Sequence, residues 1–123
     1  MALTKLKELT TIKIIDPATE EVAIDSKKKE MFVEIYSADS KKFRKTSADI
    51  ARENEKKKAS KKNPDVLITE QLANLIASWN VELETGHIDL TVENAIFVLD
   101  EYRYIRDQIL ETITDRKNFL LSA

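Results

Sequence analysis

One glycine and two prolines in 123 residues leave this chain few places to turn sharply. All-β sandwiches and barrels need many tight turns, so this scarcity turns the expectation toward helices. A charged fraction of 34% points the same way, because it suits exposed helical faces better than a large sheet. The 42% of apolar residues is enough for a modest core, and a chain of this length forms one domain, residues 1–123. There is no cysteine, which excludes a disulfide framework, a thiolate nucleophile and a zinc knuckle. No apolar run approaches the roughly 20 residues that span a bilayer, and the start Met1-Ala-Leu-Thr-Lys-Leu lacks a signal-peptide apolar segment. A soluble, intracellular protein with no membrane partner is expected.

The first third, residues 1–36, reads as a small β region. Thr11-Ile-Lys-Ile-Ile and Glu21-Val-Ala-Ile flank Asp16-Pro17-Ala-Thr-Glu, where Pro17 pre-sets φ and Asp16 can bond back to the turn backbone. Met31-Phe-Val-Glu-Ile-Tyr adds a third strand rich in β-branched and aromatic residues, after the polar connector Lys27-Lys-Lys. Such a sheet is marginal unless a helix covers it.

Residues 39–62 read as a basic helix, opened by Asp39 or Ser40 as cap. Its apolar stripe is only Phe43, Ile50 and Ala51, so weak packing and a frayed distal end are expected. Asn63-Pro64 stops it. A helical core over 66–121 follows. Ile68, Leu72, Leu75, Ile76, Trp79 and Leu83 lie at i, i+3, i+4 spacing, which predicts one helix with Trp79 as a core anchor. Gly86 marks a turn or short hairpin. Thr91 caps the next helix, with Val92, Ala95, Ile96, Leu99 and Tyr102 on one face and Ile105, Ile109 and Ile113 on another. Asp100-Glu-Tyr-Arg-Tyr contains neither Pro nor Gly, so a continuous helix and a break both fit. Phe119-Leu-Leu either locks the last helix into the core or stays an exposed tail. The fold class is therefore α+β, mainly α: a small N-terminal hairpin or three-strand sheet, then about four helices.

Chemistry-bearing sets are sparse. The single histidine, His87, sits in the Gly86 turn with no Ser/His/Asp signature around it and reads as an exposed turn residue. Glu82/Glu84 and Asp100/Glu101 are too close in sequence to face one another on a helix and read as solvated charge. Glycine-rich phosphate loops and calcium-loop spacings are absent. No catalytic residue, metal ligand or cofactor is expected, nor an enzyme. The charge split is more telling: residues 1–62 carry a balance of +5 and residues 63–123 one of −7, giving the net −2. Lys56, Lys57, Lys58, Lys61 and Lys62 could contact the acidic half of a second copy. The run is nearly all lysine beside an acidic half, so nucleic acid is the weaker reading; a small nucleic-acid-associated regulator using residues 41–62 is the alternative.

Taken in order, several short motifs resemble the siphophage tail assembly chaperone family. They are Asp16-Pro-Ala-Thr19 as hairpin turn, then Asp39-Ser40 with Phe43-Arg44 opening a variable charged helix, Trp79, and Gly86. Next come Thr91, Glu93, Asn94 and Ala95 as cap, and finally Ile105, Gln108, Ile109, Asp115, Arg116, Asn118, Phe119 and Leu120. The likeness covers about residues 12 to 120. It departs where the family often has a Pro before its last helix and this chain has Arg103-Tyr104. The resemblance implies a non-enzymatic chaperone that coats the tape measure protein, helps recruit tail tube protein, and self-associates into rings or spirals. It implies action in the cytoplasm of the bacterial host and absence from the mature virion, a structural tail component being a further alternative. Many members of the family are also made as a longer, frameshifted product, and an end at Ala123 would fit the shorter form. A cargo helix would dock by apolar anchors, and Phe97, Tyr102, Tyr104, Phe119 and Leu120 are the candidate partner-binding residues.

Overall fold

The computed structural model describes residues 2–56 and 63–120. Strand β1 (Leu9–Lys13) leads through Ile14 into β2 (Ile15–Asp16), which pairs antiparallel with β3 (Glu21–Val22). The Asp16 carboxylate accepts the Ala18 N–H at 2.8 Å and the Asp16 carbonyl accepts the Glu20 N–H at 2.8 Å, so the expected turn forms around this residue. β4 (Phe32–Tyr36) pairs antiparallel with β1, Leu9 opposite Tyr36 and Lys13 opposite Phe32. Val33 and Ile35 point into the core, as the alternation of a pleated strand requires. Ile14 is buried where the pairing changes: its N–H donates to Met31 and its carbonyl accepts from Ala23.

The third strand of this sheet is not drawn from the N-terminal third. Helix α2 (Pro64–Leu75) ends at Leu75, and residues expected to continue it form β5 (Ile76–Trp79) on the far side of β4. Val33 lies opposite Trp79 and Ile35 opposite Ile76, with a register shift between Glu34 and Ile35. The helical stripe through Trp79 and Leu83 is therefore corrected. Ile76 and Trp79 also suit a pleated surface, and β4 would otherwise leave one edge of backbone groups without strand partners. Trp79 remains half-buried beside the core, its indole N–H donating to the Ile88 carbonyl at 2.9 Å.

Helix α1 (Lys41–Lys56) begins behind Ser40, whose hydroxyl accepts the Phe43 N–H at 3.1 Å and donates to the Ser37 carbonyl. Its expected extension to residue 62, with Lys57, Lys58, Lys61 and Lys62, lies outside the described residues. Asn63 caps α2 by accepting the Val66 N–H, and Pro64 occupies the first helical position, where a missing N–H costs nothing. The hairpin of β6 (Glu82–Leu83) and β7 (Gly86–His87) turns through Gly86 at φ +118°, a conformation side chains avoid. Thr91 caps α3 (Val92–Glu101) through Asn94 N–H, as its sequence predicts. The chain then breaks at Tyr102 (φ −113°, ψ 70°) before α4 (Arg103–Thr114) and a final 3-10 turn (Arg116–Phe119). The Tyr102 N–H closes α3 on Val98, while its carbonyl accepts from Ile105; no proline is needed.

The fold is α+β and mainly α, with four α-helices among the described residues. One core gathers Val33 and Ile35 from the sheet, Leu72 and Leu75 from α2, Val98 and Leu99 from α3, Ile109 and Ile113 from α4, and Phe119. Phe119 thus locks the end of the chain inward, helped by the Lys7 N–H donating to its carbonyl and by the Leu6–Leu120 bridge. No helix of the described residues is long and apolar enough to cross a membrane.

Candidate functional site

Helix α1 has so few apolar side chains that it meets the core only at its edge, through Phe43, and this shapes the surface beside it. Its only buried residue is Thr46. Phe43, Ile50 and Ala51 instead form one wall of a groove; Leu67, Ile68 and Leu72 of α2 and Leu110 and Ile113 of α4 form the rest. The groove has a volume of about 360 Å³, and its lining is almost wholly apolar. Ile68 is 40% exposed and Leu110 37%, more than core logic would choose for side chains of this size. Gln71 crosses beneath: its amide donates to the Phe43 carbonyl at 3.2 Å and to the Ser47 hydroxyl at 2.7 Å, holding α1 against α2. The Gln71 side-chain oxygen is buried without a hydrogen-bond partner among the described residues. Such a groove can receive apolar side chains at helical spacing.

The five residues expected to bind a partner do not share a face. Phe119 is buried in the core and Leu120 half-buried against Leu6, so neither presents a free apolar surface in this fold. Phe97 is half exposed on α3, outside the groove. Tyr102 and Tyr104 meet edge-to-face, 6.3 Å between ring centres, in a cleft of about 540 Å³ shared with Asp16, Glu21, Glu82 and Glu84. Burial, and then the Asp16 charge, pushes the Tyr104 phenol above its ordinary pKa. Of the lysines expected at a self-association surface, Lys56 is exposed at the end of α1 and pairs with Glu53 at 3.7 Å.

The motif residues behind the family resemblance serve the fold. Arg116 donates twice to Asp39, at 2.7 and 3.0 Å, joining the chain end to the start of α1. That hydrogen bond holds the Asp39 carboxyl below the usual carboxylate range. Gln108 donates to the Ile15 carbonyl and accepts the Ile15 N–H, tying α4 to the start of β2. Asn94 reaches back to the Asp89 carbonyl, and Asn118 to that of Thr112. A buried cation was missed by sequence reasoning: Arg106 is almost fully buried in α4 and donates to Asp65 at 3.0 Å, beside Arg103. The Arg103 hydrogen bond depresses the Asp65 pKa. An arginine within the Ile105/Ile109 stripe is the signal that could have found it.

His87 is half exposed, as a turn residue should be, yet it is not isolated. Its Nε2 lies 3.1 Å from Glu82 and 3.6 Å from Asp25, which comes from the turn before β4. Ser26 donates its hydroxyl to Glu82 at 2.9 Å, not to the imidazole. Compared with known protein families, curated proteins and solved structures, the chain matches none.

Proposed function

We propose that this chain is a non-enzymatic assembly chaperone of long-tailed phage, which shelters an apolar helical face of the tape measure protein and helps recruit tail tube subunits. In this reading it works in the cytoplasm of the bacterial host, self-associates through its charge split, and is left out of the finished virion. The observation that carries the reading is the groove between α1, α2 and α4: almost wholly apolar, open to solvent, and walled by a helix whose one buried residue is Thr46. A coiled-coil-like cargo would insert its i, i+3, i+4 and i+7 side chains there, burying Ile68 and Leu110. The ordered motif set from Asp16 to Leu120 supports the family assignment, and the paired fasteners Asp39–Arg116 and Gln108–Ile15 give those motif residues a common structural purpose.

The test is co-expression of the full chain with a tape measure protein. Wild-type chain should raise the soluble yield of the cargo severalfold, while Ile68→Asp and Leu110→Asp should abolish the rise and leave the chain folded by circular dichroism. Equal cargo solubility with and without the chain would end this proposal. A gel shift with duplex DNA whose affinity falls linearly with salt on logarithmic axes would instead favour a nucleic-acid role for α1.

A further inference from the structure

Two carboxylates and the sole imidazole of the chain converge where the β6–β7 hairpin meets the turn before β4. Asp25 Oδ2, Glu82 and His87 Nε2 supply ligand atoms that all lie within 4.8 Å of one another. Two anions this close repel unless a positive charge sits with them. Two of the three edges, 3.1 Å from His87 Nε2 to Glu82 and 3.6 Å to Asp25, lie near the ligand separations of about 3.3–3.6 Å that bonds of roughly 2.0–2.2 Å give in a tetrahedral metal site.

Asp25 is fixed in place. Its side chain is only 2% exposed, and Oδ2 faces the imidazole at 3.6 Å. Oδ1, by contrast, is fully occupied by the Lys27 and Lys29 N–H groups, both at 2.9 Å. These bonds hold the carboxylate rigid and shape a turn in which Lys28 adopts φ +62° without being glycine. Glu82 is gripped in the same way by the Ser26 N–H and hydroxyl, each at 2.9 Å. Oxygens fixed by a second layer of donors, with a lone-pair face turned toward a shared point, are how proteins orient metal ligands.

We propose that Asp25, Glu82 and His87 form a binding site for one zinc-class divalent cation, which clamps the 82–87 hairpin onto the turn at 25–29. Three protein ligands leave a fourth position for water. One imidazole with two carboxylates suits Zn²⁺, Co²⁺ or Ni²⁺; Ca²⁺ and Mg²⁺ need more oxygen ligands than this cluster provides. The site shares no residue with the apolar groove, so it stands or falls apart from the chaperone reading.

Because the chain has one histidine and no cysteine, tag-free protein gives a clean test. Stripped of metal and titrated at neutral pH with CoCl₂, it should develop visible absorption of tetrahedral Co²⁺, saturating at one equivalent and displaced by ZnCl₂. His87→Ala and Glu82→Gln should each weaken Zn²⁺ binding by about tenfold or more, with unchanged circular dichroism. In the unmutated chain, one equivalent of Zn²⁺ should shift the His87 imidazole resonances, a readout independent of how the variants fold. Absence of saturable binding, unshifted imidazole resonances, or equal affinity in His87→Ala would each overturn the proposal.

Discussion

Helix α4 buries four of its twelve residues, including a cation, whereas the longer α1 buries one of sixteen. Both are amphipathic and both meet α2. They differ in what the apolar stripe faces. The Ile105, Ile109 and Ile113 stripe of α4 closes the core beneath the sheet, and its Arg106 is carried inside because Asp65 meets it. The stripe of α1 touches the core only through Phe43 and otherwise looks into an open groove. Burial therefore makes α4 part of the scaffold, while α1 is fastened mainly by Gln71 and a few apolar contacts. A binding surface arises where a helix has enough apolar residues to stay attached and too few to close the gap.

The largest effect should come from breaking the scaffold side. Leu99→Ala removes a fully buried side chain at the α3 contact and should cost roughly 2–5 kcal/mol in denaturant unfolding. Its counterpart on the groove side, Ile50→Ala, should cost no more than about 1 kcal/mol, because Ile50 is only partly buried. Equal losses would erase the distinction between the helices. Thr91→Ala, which strips the α3 cap, falls between them at about 1 kcal/mol. Hydrogen exchange sharpens the same contrast: amides of α1 should exchange through local opening, and those of α4 only with global unfolding.

The smallest effect is electrostatic. Asp25 is held below its ordinary pKa chiefly by the Lys29 N–H, Asp39 by the Arg116 hydrogen bond and Asp65 by that of Arg103. Since the folded-state values are depressed, their stabilisation is present above the ordinary carboxylate value near 3.8 and is lost as pH falls through the lower folded values. Urea midpoints should thus fall below about pH 4, and Asp39→Asn should flatten that acid limb. A steeper limb in the variant would contradict the assignment. The effect stays small because the Asp39 and Asp65 pairs are open to solvent.

Residue chemistry acting over three or four neighbours was legible without coordinates. Asp16 organises its turn, Ser40 and Thr91 cap their helices, Gly86 takes its positive φ, and the poverty of apolar residues in 41–56 leaves α1 at the edge of the core. Each depends on groups close in sequence, so its energetics are set locally. The groove needed the structure, because its walls come from helices far apart in the chain. So did the break at Tyr102 and the meeting of His87 with Asp25. The clearest divide falls at residues 75–79, where an i, i+3, i+4 stripe suits a helix and a short apolar run suits a strand equally well. Local periodicity could not choose between them; the open edge of β4, more than forty positions earlier, did, by offering Ile76, Ser78 and Trp79 partners that no continuation of α2 could supply.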